Sequence, residues 1–208
     1  EWQLAPNNPF LAHLINVLLY GFLCLLFYKL LLALFKNAQL ALIATLFFCA
    51  TAIHTEVVAN IKSLDEILSM LLAMLSWYFV LKWQESQKMQ QLIIAGLCFM
   101  IGMFTKEGII SFIAIIPASL WFFRNEKLKA VFTSMAILLG AAISYIAVRA
   151  SVLGSIQASI KPASIDNPIV NFDLADRFFT SMKLLGLYIQ KLVVPHPLAY
   201  EYAFNTIE

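Results

Sequence analysis

The sequence predicts an all-α, polytopic membrane helix bundle of about six spans, and three observations carry that prediction. Of the 208 residues, 62% are hydrophobic and only 12% charged, with a mean hydropathy of +0.83. Soluble domains carry roughly 25% charged residues, and a soluble fold of this size cannot hide so much apolar surface. The apolar residues fall into six runs separated by short polar stretches. The basic residues at the ends of those runs collect on one side of the resulting threading. A net charge of +2 with no basic tract gives no signal for nucleic acid.

Taken in order, residues 1–9 are polar with two prolines and read as an extramembrane lead-in. Residues 10–35 are long enough to cross a hydrocarbon core of about 30 Å. Within that run His13 and Asn16 read as interhelical hydrogen-bonding groups, and Lys29 with Lys36 as snorkelling cations at the far end. A tight Lys36-Asn37-Ala38 connection leads to a second run, 38–53, short for a full span. The third run, 67–81, ends at Lys82-Trp83, an interfacial anchor, and 83–91 reads as a charged, glutamine-rich loop. The fourth and fifth runs, 92–104 and 109–123, are short, which predicts helices buried by neighbours or a segment dipping into the membrane. The sixth, 130–148, ends at Arg149.

Residues 150–176 are rich in Ser, Pro, Asn and Asp and read as an extracytoplasmic loop. Residues 177–194 form an amphipathic pattern: Phe178, Phe179, Met182, Leu185, Ile189 and Leu192 share one arc, while Arg177, Lys183 and Lys191 lie mainly opposite. That pattern predicts a helix lying in the membrane interface, a true span being the alternative. The chain thus divides into a bundle, 1–149, and an extracytoplasmic part, 150–208. Cys24, Cys49 and Cys98 follow no metal or disulfide spacing and read as small buried hydrophobes. The chain opens on Glu1 without a signal-peptide pattern, and a fragment of a longer protein is expected.

Orientation follows from the short loops. Lys29, Lys36, Lys82, Lys88, Arg124, Lys127 and Lys129 share one side, which the positive-inside rule makes cytoplasmic. The opposite, extracytoplasmic face then holds the stretch His54-Thr-Glu-Val-Val-Ala-Asn-Ile-Lys-Ser-Leu-Asp-Glu66, with Lys106-Glu107 and Arg149.

His54, Glu56, Asp65 and Glu66 are candidates for acid–base chemistry, because a carboxylate at a low-dielectric boundary is pushed towards a useful pKa. The plainer alternative is a solvated loop whose Ser63 and Glu66, at capping-box spacing, start the next helix. A single His-x-Glu does not define a metal site. Lys106 could hold a phosphate with Glu107 orienting it, or the two could form a self-satisfied turn. Arg149 offers a bidentate fork to phosphate, or simply snorkels. His196, bracketed by Pro195 and Pro197, is a supporting candidate. Charges at helix ends suit a lipid-phosphate ligand better than a transporter, which places them near the bilayer midplane.

These residues also resemble the TMTC family, membrane proteins with tetratricopeptide repeats in the GT-C glycosyltransferase superfamily. The likeness lies in Ile53 to Glu66, Thr105-Lys-Glu107, Arg149 before Asp166-Asn-Pro168, and Leu184-Leu-Gly-Leu-Tyr188 leading to Pro195-His-Pro-Leu198 and Tyr202. The resemblance implies transfer of a mannose-like sugar from a polyprenyl-phosphate donor to a protein hydroxyl, on the periplasmic or luminal face. It also implies an acidic base in a loop upstream of the first helix here. Three positions depart from the family pattern: Thr51-Ala-Ile-His54 stands for His-Pro-Ile-His, Leu64 for an arginine, and Glu201 for an aspartate. Membrane lipid, the lipid-linked sugar and a protein acceptor are the implied partners, with the need for a divalent metal open. The alternative functions are a non-catalytic membrane scaffold for a repeat domain and a lipid or solute transporter.

Overall fold

The computed structural model describes residues 9–153 and 173–196. Among them the chain is helical and has no strand: α1 (Pro9–Phe35), α2 (Ala38–Ala50), α3 (His54–Ala59), α4 (Leu64–Ser86), α5 (Met89–Thr105), α6 (Phe112–Arg124), α7 (Leu128–Leu153) and α8 (Leu174–Val193). Short 3-10 turns at Ile61–Ser63 and Glu107–Ser111 precede α4 and α6. Four helical segments are long and apolar enough to cross a membrane: Pro9–Phe35, Leu64–Ser86, Glu107–Arg124 and Leu128–Val152. The two others in the threading, Ala38–Ala50 and Met89–Thr105, are shorter apolar helices.

The core lies where α4 and α5 pack together, flanked by α1 and α7. Leu30, Val80, Leu81, Leu92, Phe99, Ile116, Leu120 and Leu138 are sealed in it. α5 buries one face, Leu92, Ala95, Gly96, Phe99, Gly102 and Met103, while Ile93, Leu97 and Ile101 point outward. Phe22, Leu25, Phe47, Phe122, Phe132 and Ile143 are also exposed. An apolar exterior on a helical bundle is what a lipid solvent requires, since helices satisfy their own backbone groups.

Three connections at one end are tight for a shared reason. Lys36, Gln87 and Asn125 adopt left-handed conformations with φ of 54°, 55° and 49°, which ends each helix abruptly. The structure therefore corrects the expected 83–91 loop. α4 runs on through Ser86, because Gln87 caps it through Nε2 to the Gln84 carbonyl (2.8 Å) and its own N–H to Trp83 (2.7 Å). Trp83 is buried in the core and is not an interfacial anchor. Arg124 braces this end, donating from Nη1 to the Ala33 carbonyl (3.1 Å) and from Nη2 to Glu85 (3.4 Å).

Three further expectations change. Ser63 makes no side-chain capping bond, because the preceding 3-10 turn leaves it with φ −92° and ψ 19° rather than an extended backbone. Of the three cysteines only Cys24 is buried; Cys49 is exposed and Cys98 half-buried, since their helices turn those faces outward. α8 begins at Leu174, three residues before the expected start, because Asp173 caps it through the Asp176 N–H (2.7 Å). It keeps both its faces exposed. The expectations for residues 1–8, for Asp166-Asn167-Pro168 in 154–172, and for Pro197, Leu198, Glu201 and Tyr202 lie outside the described residues.

The shortness of α2 positions the site. Its 13 residues rise only about 20 Å, so it ends beside the middle of α1, where Tyr20 reaches the Phe48 and Cys49 carbonyls at 3.5 and 3.3 Å. The polar segment from His54 onward is thus recessed against α1 instead of standing clear of it. Asn16, fully buried, pins it by donating from Nδ2 to the Asn60 carbonyl at 2.9 Å. The interhelical bonding expected of Asn16 is therefore directed at this segment, while His13 is exposed.

Candidate functional site

The site grows from a backbone corner. α5 stops at Thr105, and Lys106 takes an extended conformation (φ −157°, ψ 127°) before the Glu107–Ser111 turn. Extended backbone sends successive side chains to opposite faces, so Lys106 and Glu107 part company. They do not form the self-satisfied pair that adjacency allowed.

Lys106 turns to the start of α4. Its Nζ forms an ion pair with Glu66 and lies 3.6 Å from Asp65 Oδ2. Both acids sit in the first turn of α4, where the helix dipole favours negative charge, and Asp65 Oδ1 also accepts the Glu66 N–H at 2.9 Å. The Glu66 hydrogen bond, with Asp65 nearby, holds the Lys106 ammonium above the ordinary lysine range, so it is cationic throughout the physiological range. Glu107 turns to the last turns of α7. Its Oε1 meets Arg149 Nη1 at 3.1 Å, while Tyr145 donates to its Oε2 at 3.4 Å and accepts from Arg149 at 2.6 Å.

A cleft of about 220 Å³ opens beside Lys106, lined by Glu66, Ser69, Met70, Gly108, Ile109 and Phe112. Its wall is apolar and its mouth charged. An amphiphile with an ionic head meets both requirements there.

His54 belongs to a different corner. Its Nδ1 is 2.8 Å from the Tyr20 hydroxyl, and its ring packs on Phe48 with centroids 4.4 Å apart. Burial, partly offset by the Phe48 backbone, lowers its pKa below the ordinary histidine value. Folding therefore favours the neutral ring, so stability is lost as pH falls below about 6.5, where the unfolded chain takes up the proton first. His54→Gln is expected to flatten the fall in melting temperature between about pH 7 and 5; an unchanged acid slope would assign it to other groups.

The structure thus brings Asp65, Glu66 and Lys106 together, and Glu107 with Arg149. It leaves the others apart. Glu56 is exposed and makes no ion pair among the described residues. No contact joins His54 to the Lys106 cluster. His196 is exposed beyond α8, its carbonyl accepting from Lys191 at 3.1 Å. Tyr20 and Tyr145 were missed. Each is an amphipathic ring inside an apolar run, and only the four-residue spacing from Tyr145 to Arg149 could have signalled a pair.

A segment of 97 residues is 37% identical to protein O-mannosyl-transferase TMTC1 of Mus musculus, covering 46% of this chain and 10% of that protein. The chain therefore matches only about a tenth of the relative's length. No solved structure matches. Residues 2–153, the whole bundle through the end of α7, match the dolichyl-phosphate-mannose-protein mannosyltransferase family. With that match over most of its length, the chain belongs to the dolichyl-phosphate-mannose-protein mannosyltransferase family.

Proposed function

We propose that the protein carrying this chain moves mannose from a polyprenyl-phosphate carrier to a protein hydroxyl at the extracytoplasmic face. The observation that carries this reading is the Lys106-Glu107 corner. Two neighbouring residues there bring Lys106 to two acids of α4 and Glu107 to the Arg149 cation of α7 at the same end of the bundle, beside an apolar-walled cleft. In the transfer, the acceptor hydroxyl oxygen attacks the anomeric carbon as the bond from that carbon to the phosphate oxygen breaks. The polyprenyl phosphate leaves with the electron pair, and its growing charge calls for cations. Lys106 and Arg149 are the residues of this chain suited to that task. Asp65 and Glu66 orient Lys106 and face the acceptor side, and the base that takes the hydroxyl proton belongs to a segment upstream of α1. His54, held by Tyr20, braces the separate corner where α2 ends, and Glu56 stands exposed near it. A metal has no assigned ligands in this scheme.

The test is transfer of labelled mannose to a hydroxyl-bearing peptide in membranes containing the protein. Polyprenyl-phosphate mannose is expected to serve as donor and a nucleotide mannose is not. Transfer from the nucleotide sugar alone would overturn the donor assignment, and no transfer from either would favour a scaffold. The sidedness is tested by a Ser63→Cys variant, which membrane-impermeant reagents should label only from the extracytoplasmic side.

A further inference from the structure

We propose that Tyr145 is a positioning residue: it anchors the Arg149 guanidinium by one nitrogen, so that the opposite edge is held out as a preformed fork for the phosphate of the lipid carrier. The inference rests on the donor reading above. It also separates two cations that sequence alone treats as equals.

Tyr145 precedes Arg149 by four residues on α7, so the two side chains lie one above the other on one face. The tyrosine is 7% exposed, and its ring stands edge-on to Phe104 of α5 with centroids 5.0 Å apart. Its hydroxyl therefore has a fixed address. That hydroxyl accepts from Arg149 Nη1 at 2.6 Å and donates to Glu107 Oε2 at 3.4 Å, while Glu107 Oε1 takes the same Nη1 at 3.1 Å. Nη1 is thereby committed, by a hydrogen bond to Tyr145 and an ion pair to Glu107. Among the described residues, Nη2 and Nε carry no hydrogen bond or ion pair. They form the planar, two-donor edge that grips a phosphate bidentately.

Charge balance points the same way. At Lys106 one ammonium faces two carboxylates, Asp65 and Glu66, so an approaching anion meets surplus negative charge. At Arg149 one guanidinium faces one carboxylate, and Tyr145 contributes a neutral dipole. An arginine already locked in place also loses less freedom when the phosphate arrives. The phosphate falls to Arg149, and Lys106 is left to orient the acids of α4.

The experiment titrates a short-chain polyprenyl monophosphate, in detergent micelles, onto the protein carrying this chain. Tyr145→Phe keeps the ring against Phe104 but removes the hydroxyl, and is expected to weaken binding about tenfold, the scale of a hydrogen bond to a charged group. Arg149→Lys is expected to weaken it at least as much, and Tyr145→Phe placed on top of Arg149→Lys to add nothing, because the tyrosine acts through the arginine. In transfer kinetics the donor KM rises in Tyr145→Phe while kcat is kept, a split that general loss of structure does not give. Phe104→Leu, which keeps the hydroxyl but frees the ring, should shift the donor KM in the same direction. Additive losses in the double variant, or unchanged binding in both Tyr145→Phe and Phe104→Leu, would overturn the positioning role. A wild-type protein that binds no polyprenyl monophosphate would instead sink the donor reading itself.

Discussion

Replacing Lys106 with methionine is expected to cut mannosyl transfer by about a hundredfold, the usual scale for removing one preorganised charge from a site, with little change in melting temperature. The two halves of that expectation have separate causes. The Lys106 side chain is 39% exposed, and Asp65 and Glu66 are 46% and 42% exposed. Ion pairs this wet contribute roughly 0–1 kcal/mol to stability, and the freed acids can turn to water. Function is less forgiving. Without the ammonium, Asp65 and Glu66 lose the partner that fixes their direction, and two carboxylates are left side by side without a counter-charge at the mouth of the cleft. Methionine preserves the length and apolar stem of the lysine, so the packing beside Met70 and Ile109 is retained. A variant that melts early yet transfers at the wild-type rate per folded molecule would show that Lys106 is a structural strut. A Glu66→Gln variant is the companion measurement; it leaves Lys106 paired with Asp65 and should lower transfer less than Lys106→Met does.

The second large effect is expected at Gly102, deep between α4 and α5. A Cβ built there would lie 2.6 Å from Ile109 Cδ1, 3.2 Å from Leu72 Cβ and 3.5 Å from the Ser69 carbonyl. The isoleucine methyl can swing aside. Leu72 Cβ cannot, because it is fixed to the α4 backbone. Gly102→Val is therefore expected to cost about 1–3 kcal/mol, the usual penalty of overpacking, by pushing α4 and α5 apart. It should also damage transfer beyond what the lost stability explains. Ile109 lies in the Glu107–Ser111 turn and lines the cleft, so displacing it shifts the corner that aims Lys106 and Glu107. Gly21→Ala is the control, since a Cβ there meets nothing within 4 Å. Equal melting temperatures and equal transfer in Gly102→Val and wild type would refute the close-packing argument.

Much of the architecture was legible beforehand because a membrane helix is a local object. Its length and hydropathy are set by the bilayer, and its backbone bonds close within the segment. The six runs became α1, α2 and α4–α7 with ends moved by a few residues. The largest shift, at 83–91, came from a left-handed Gln87 that no hydropathy pattern reports. The chain order of polar residues also placed Lys106, Glu107, Arg149 and the 54–66 stretch at one end. How those residues pair was out of reach, because pairing depends on the rotation of each helix about its axis, and that is set by side-chain packing between helices.

Sequence by itself thus determined that this chain is an all-α membrane bundle with Glu56, Asp65, Glu66 and Glu107 gathered with Lys106 and Arg149 at one end, since hydrophobic length and charge alternation act residue by residue along the chain. Tertiary structure alone decided that Lys106 answers to Asp65 and Glu66 while Glu107 answers to Arg149. It also decided that His54 is held apart by Tyr20 and that Tyr145 stands behind the arginine. Apart from the Tyr145–Arg149 contact within α7, each of those contacts joins residues from different elements. Their geometry exists only once α4, α5 and α7 have packed against one another.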